Sequence, residues 1–467
     1  MELPLQLCGV LAVLALVVSI GVWSVRYIKN GADFEYGDAQ KSGVGFVFGI
    51  IMGTIIGGSS TIGTAQLAYT QGISAACYAI SCGLAFLVIS LFYVRLFRRA
   101  KLPTLLGITS HEYGKRIELP SAILICLVAF LAIIPQLIAS TAVLPIIFPG
   151  LSVSASVVIT AALILIYIVF GGALGAGLLG RVKVILLYIA VLTGLFIVMR
   201  RGGLAGLRAG LDTSYFDLFQ AGVFKESSKA VSIIMGVLSA QLYMQTVVAA
   251  KSEKAARRGT FLCGIMIPPV GIISALIGMF MRVHHPELPN PKDAFTQFVL
   301  LYMPDFFGGM VLATLLLAIV GASAGCLLDL ATIIHRDIVS PRTHRYDDPK
   351  HSLRLNRLTI IGFLAVGCLL STGLLGDAVL FFTTVSNGLR ASVLFVPLMC
   401  AMLLPGKVDH HWAFASVFVG AALCMVFSFW SVLSVDGAGA GVLGSAACCA
   451  IGALVQKNTH STRSSRC

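Results

Sequence analysis

Apolar runs of roughly 18 or more residues recur along the chain, separated by short stretches where Lys, Arg, Asp and Pro collect, and this rhythm predicts membrane-spanning helices. About thirteen spans are expected, near residues 3–25, 43–70, 73–97, 121–148, 152–171, 178–199, 229–250, 260–282, 309–335, 355–375, 378–402, 412–434 and 436–455. The first run lacks a basic leader and an A-x-A-like exit and is too long for a signal segment, so it reads as a retained span. After it the chain divides into two sets of about five spans with two more appended. An odd number of spans per set makes the second set the inverse of the first. The expected division is 1–42 for the first helix and its loop, 43–200 and 229–402 for the two repeats, and 403–467 for the appended helices and tail.

One run is not a plain anchor. GVGFVFGIIMGTIIGGSSTIGTAQLAYTQG, residues 43–72, is broken at its middle by Gly57, Gly58, Ser59, Ser60 and Thr61. In hydrocarbon every backbone N–H and C=O must be satisfied, so unwound backbone survives at that depth only where protein or a watery cavity covers it. Two glycines and three hydroxyls there point to a solute site built from half-helix ends; the plainer alternative is a small-residue helix seam. The span that opens the second set carries MGVLSAQLYMQ at its centre, with Gly236, Ser239, Gln241 and Tyr243. Paired polar breaks in corresponding helices are the sequence mark of a transporter site. The expected substrate lining is Gly57, Gly58, Ser59, Ser60 and Thr61, Gln136 of the fourth span, Ser239, Gln241, Tyr243 and Arg390.

Composition narrows the class. At 58% hydrophobic and 11% charged residues, with mean hydropathy +0.94, the chain is a polytopic membrane protein; soluble domains carry about 25% charged residues. The net charge of +13 is explained by basic loops facing anionic lipid rather than by nucleic acid. With the N-terminus outside, 25 of the 33 Lys and Arg fall at the inner face and seven at the outer, Arg390 lying within a span. The positive-inside rule therefore orients the chain with the N-terminus outside and the C-terminus cytoplasmic, in a cell membrane. Most of the twelve Cys lie inside apolar runs as small hydrophobes, there is no C-x-x-C spacing, and the His pairs fall in loops. No metal or cofactor is expected.

Six blocks, in order, resemble the sodium:solute symporter family: DFEYGDAQKSGVGF from Asp33, GGSSTIGTAQLAYTQGIS from Gly57, TSHEYGKR from Thr109, YIVFGGALGAGLLGRVK from Tyr167, MQTVVAAKSEKAARRG from Met244, and DAFTQFVLLYMPDFFGGMVLATLLLAIVGASAGCLLDLATIIHRDIV from Asp293. The resemblance implies an all-α, LeuT-type bundle of two inverted five-helix repeats, with about thirteen transmembrane helices, and transport of a small molecule. It also implies a sodium site made by backbone carbonyls of the first broken helix, which fall at Gly53 and Ile56, and by two hydroxyls of the ninth span.

The departures from the family pattern are specific. The hydroxyl positions align with Gly321 and Ala322, the family's acid in W-T-D-x-x-Q with Gly180, and its glutamine with Lys183. A hard cation needs about six oxygen ligands, so these substitutions remove much of the site and add a cation. The sixth and ninth spans run in opposite directions, which brings Lys183 to the level of Gly321 and Ala322. Sodium-independent transport is the expectation, either proton-coupled or by exchange, with sodium symport through a rearranged site as the alternative. Lys183 near a span end also admits a plainer role, snorkelling to the interface. Asp329, about two turns deeper, is expected to pair with Arg181 or Lys183. Arg390 reads either as a brace to carbonyls or as a fork donor to a substrate carboxylate.

Three other function classes are weaker. A transporter-derived sensor lacks a signalling segment in the tail QKNTHSTRSSRC, a membrane enzyme would require clustered His, Asp or Glu at membrane depth, and broken-helix pairs suit a carrier better than a channel. The oligomeric state is not legible.

Overall fold

A computed structural model describes residues 3–25, 43–100, 102, 104–340, 342–343, 349–373, 379–429 and 437–464. The expected outer loop around Asp377 and the segment DFEYGDAQKS lie outside these. The described residues are mostly helical, with no strand among them. Nine of their helices are long and apolar enough to cross a membrane, ten if one bent pair counts as a span, and shorter apolar helices stand at three further expected positions.

The first helix, α1 (Leu3–Val25), packs along the central post of the bundle. The second expected span is split into α2 (Val44–Ile55) and α3 (Thr64–Gln71), and α4 (Cys77–Val88) follows. The fourth span is likewise jointed, into α5 (Glu118–Leu131) and α6 (Ile134–Ser140), with Pro135 in the first turn of α6 where a missing N–H costs nothing.

The fifth and sixth expected spans form one helical run, α7 (Val153–Arg200). Its 48 residues would extend about 72 Å if straight, against a hydrocarbon core of about 30 Å. It is not straight: the Tyr167 hydroxyl lies 3.6 Å and the Lys183 Nζ 3.2 Å from one point beside Gly321, whereas a straight helix would hold those residues about 24 Å apart along its axis. The run therefore bends between them.

The second broken span is α8 (Val223–Leu238) and α9 (Gln241–Ala249), bent by 47°. Then come α10 (Glu253–His284), α11 (Asp305–Ile333), α12 (Pro349–Gly373), α13 (Val379–Arg390), α14 (Val396–Leu403), α15 (His410–Phe429) and α16 (Gly437–Ser464). The apolar window of α11 is 94% buried and that of α12 only 22%, which makes α11 the post and α12 a lipid-facing helix. α2, α6, α7 and α9 all pack on α11.

Small residues set how closely α11 and its neighbours approach. A Cβ at Gly325 would lie 2.3 Å from Thr54 Cγ2 and 3.4 Å from Leu242 Cδ2, so α2 and α9, the half-helices from the two breaks, meet on the same face of α11. Without a hydrophobic drive in lipid, such close contact supplies much of the packing energy. Arg95, Arg98, Arg257 and Glu253 mark the basic face of the bundle, joined by the Arg95–Glu253 ion pair at 2.8 Å.

Candidate functional site

The first break begins at Ile56, which leaves the helix with φ −88° and ψ 105°, and winding resumes in a wide turn over Ser59–Gly63. The freed groups are satisfied by side chains. Gln136 Oε1 accepts from the Gly58 N–H at 2.8 Å, Gln136 Nε2 donates to Ser59 Oγ at 3.1 Å, and Ser59 Oγ shares a 2.7 Å hydrogen bond with Thr383 of α13. Ser60 Oγ accepts from the Gly57 N–H at 3.0 Å and Thr61 Oγ1 donates to the Gly57 carbonyl at 2.9 Å. Gln136 therefore joins the broken helix to α6, and Ser59 joins it to α13.

The glycines themselves are contact points. A Cβ on Gly57 would lie 2.5 Å from Ala322 Cβ, and one on Gly58 2.4 Å from Ala139 Cβ. At these two positions the small-residue seam is what the structure contains, and a larger side chain at Gly58 would meet α6 and α11 rather than occupy open space. The hydroxyls of residues 59–61 are buried beside the seam.

One side chain reaches the level where the family pattern would put a cation. Lys183 is 1% exposed, and its Nζ donates to the Gly53 carbonyl of α2 at 2.6 Å and to the Ala318 carbonyl of α11 at 3.2 Å. Lys183 does not snorkel. A Cβ on Gly321 would sit 3.2 Å from this nitrogen, and Ala322 turns its methyl toward Gly57. Gly180, at the acid position, faces Gly49: a Cβ there would lie 2.0 Å from the Gly49 carbonyl oxygen, so α7 touches α2 too closely for any side chain. Asp329 makes no ion pair with Lys183. It faces the Leu242 backbone N–H at the start of α9, and Arg181 lies near Gly45 instead.

At the second break Ser239 Oγ returns to the Met235 carbonyl of its own helix at 2.9 Å, and Gln241 Oε1 accepts from the Leu105 N–H at 2.7 Å. Both stabilise the unwound backbone and its neighbours. Tyr243 stacks edge-on against Phe86 at 4.9 Å and lies beside Thr54. Arg390 is buried near Tyr243 and Cys326, seven residues beyond Thr383 in sequence. It thus sits about 10 Å closer to the basic face than the Ser59–Thr383 contact. The site residues fall into two groups, one around the first break with Gln136 and one around the second break with Arg390.

Sequence reasoning missed the Ala318 carbonyl, because any residue offers one, and Thr383, although FFTTVSN interrupts an apolar run there. On the face opposite the basic one, a cavity of about 390 Å³ opens between α4, α8, α13 and α16, with the Glu226–Lys229 ion pair at 3.1 Å on its wall and Thr384 and Tyr78 among its lining.

Three comparisons bear on this geometry. The chain is 23% identical over 305 residues to the high-affinity choline transporter 1 of Caenorhabditis elegans, a match spanning 59% of the chain and half of that relative. In fold it resembles a substrate-bound, outward-open Na+-coupled sialic acid symporter, with a TM-score of 0.81, 17% identity and coverage of 97% of this chain and 98% of the other. A closed nucleobase-cation-symport-1 family transporter matches with a TM-score of 0.57 at 17% identity, covering 88% and 93%. The structural likenesses give the fold, the LeuT-type bundle. With the sodium:solute symporter family model matching residues 36–420, the chain belongs to the sodium:solute symporter family.

Proposed function

We propose that this chain carries a small carboxylate-bearing solute by alternating access, and that the Lys183 ammonium stands where other family members hold sodium. The observation that carries the reading is the Nζ bridge between the Gly53 carbonyl of α2 and the Ala318 carbonyl of α11, at 2.6 and 3.2 Å. A cation at that position draws the half-helix onto the post, as a bound ion would, while Gly321 and Ala322 bring no side-chain oxygen for one. The three helices that meet at Nζ are the ones that must part if a solute is to leave past α2. On this reading the basic face, marked by Arg95, Arg98 and Arg257, is cytoplasmic by the positive-inside rule. Arg390 supplies a planar fork for the carboxylate.

A fixed ammonium makes the protein an uncoupled or exchange carrier; one that loses and regains its proton makes it a proton symporter. The test is uptake into proteoliposomes of the purified full chain and of Lys183→Ala, with imposed sodium or proton gradients. Sodium-independent uptake abolished by Lys183→Ala supports the reading. Saturable sodium stimulation, untouched by the substitution, overturns it in favour of sodium symport through a rearranged site.

A further inference from the structure

The second break lies between two buried charges of opposite sign. Gly236, near the end of α8, packs against the Asn387 carbonyl of α13, where a Cβ would come within 2.5 Å, and Arg390 follows one turn later on the same helix. On the other side Leu242, the second residue of α9, presents its N–H to Asp329 of α11. Asp329 is seven residues past Ala322, which touches Gly57, and Arg390 is seven residues past Thr383, which bonds Ser59, so both lie about 10 Å from the first break toward the basic face. α11 and α13 both pack on α5, which spaces them apart.

The two charges do not neutralise each other directly. Asp329 is 3% exposed and Arg390 8% exposed, they form no ion pair, and Asp329 Oδ1 and Arg390 Nε each lack a hydrogen-bond partner among the described residues. Gln245 Nε2, one turn into α9, is a third buried polar atom without a partner. The α9 N-terminus favours the carboxylate, yet a buried charge with an open hydrogen-bonding valence is costly unless something completes it.

We propose that Asp329 and Arg390 form a station for a dipolar solute on the route between the first break and the basic face. Asp329 Oδ1 receives an ammonium N–H and the Arg390 guanidinium holds a carboxylate. The open valence on Asp329 is an acceptor, so the ammonium must bring an N–H; a fully methylated nitrogen offers none. This rests on the carboxylate reading of Arg390 and adds the amino group, making the substrate class zwitterionic primary or secondary amino acids.

The experiment uses the full chain in proteoliposomes, loaded in turn with radiolabelled glycine, proline, β-alanine, glycine betaine and propionate, with binding checked by the thermal midpoint of the detergent-purified protein. Uptake of an amino acid at least tenfold above betaine and propionate, lost on Asp329→Asn and on Arg390→Lys, supports the proposal. Propionate uptake that needs Arg390 and is indifferent to Asp329→Asn leaves the carboxylate reading standing and overturns the zwitterion. Uptake or stabilisation by betaine equal to that by proline also overturns it. Uptake of none of the five overturns both. If Asp329→Asn does not fold, the ranking of proline against betaine on the unmodified protein decides the matter alone.

Discussion

Replacing Lys183 by alanine removes a side chain that holds three helices. Its two hydrogen bonds, at 2.6 and 3.2 Å, are of the charge-to-carbonyl kind that contributes about 1.5–3 kcal/mol each, a gross loss of about 3–6 kcal/mol. Relief from keeping an ammonium out of water offsets part of this. A net loss of about 2–4 kcal/mol corresponds to roughly a 30- to 900-fold smaller population of the arrangement in which α2 lies against α11. Lys183→Ala is therefore expected to abolish solute accumulation and lower the thermal midpoint by several degrees. Sodium should not change either quantity in the unmodified protein. Adding Gly321→Ser and Ala322→Ser to Lys183→Ala restores two oxygens to a level vacated by the amine. A Cβ at residue 321 would stand 3.1 Å from the Gly53 carbonyl oxygen and 3.2 Å from Nζ, so removing the lysine relieves one of two close contacts, and the carbonyl must give by a few tenths of an ångström for the other. The triple variant should recover stability in sodium and not in potassium at equal ionic strength. An unmodified protein whose midpoint rises with sodium, together with a Lys183→Ala variant that transports normally, would refute the reasoning.

Gln136→Ala leaves the Gly58 N–H without its acceptor and Ser59 without a donor; uptake should fall and unfolding should become easier by about 1–3 kcal/mol, while Gln136→Glu, which keeps the acceptor, should lose less in a thermal melt. Gly180→Asp restores the family's acid where a Cβ would lie 2.0 Å from the Gly49 carbonyl oxygen, and overpacking of this kind costs about 1–3 kcal/mol or more, so the yield of monodisperse protein in size-exclusion chromatography should collapse. Impermeant thiol labelling should reach a cysteine placed at Asp377 from outside intact cells and one placed after Gln456 only after permeabilisation; the opposite pattern would reverse the orientation.

Much of this arrangement was legible because hydrocarbon is unforgiving. Span positions follow from apolar length, and the break at residues 57–61 stood out because Gly-Gly-Ser-Ser-Thr has no place in a plain anchor. The level of Lys183 followed from counting along two antiparallel helices. Three features were hidden for identifiable reasons. The Ala318 carbonyl belongs to the backbone, which every residue shares. The closeness of α7 to α2 depends on Gly180 meeting Gly49, a contact between distant segments that hydropathy does not encode. The polar residues of the second break were legible as polar but not by partner: Ser239 bonds its own helix and Gln241 an adjacent loop helix, the more frequent fate of intramembrane hydroxyls and amides.

A tethered cation changes what coupling can mean. Sodium can leave its position when α2 swings off α11, and its departure makes loaded and empty cycles differ. Lys183 stays attached to α7, so if its charge is constant the bond to Gly53 re-forms in every closure, with or without solute. A ligand biases a conformational equilibrium only through a difference in affinity between states, and a permanent group offers none. Accumulation against a gradient then requires the ammonium to lose its proton on the cytoplasmic side, where the opened Gly53 contact leaves it wet, to return uncharged with α2, and to regain a proton from the outer side. Net uptake should in that case follow an imposed proton gradient and vanish when the gradient is collapsed, while counterflow of labelled for unlabelled solute persists. Counterflow and net uptake both indifferent to the proton gradient would leave Lys183 a fixed latch and the protein an uncoupled carrier, and counterflow without net uptake would make it an exchanger.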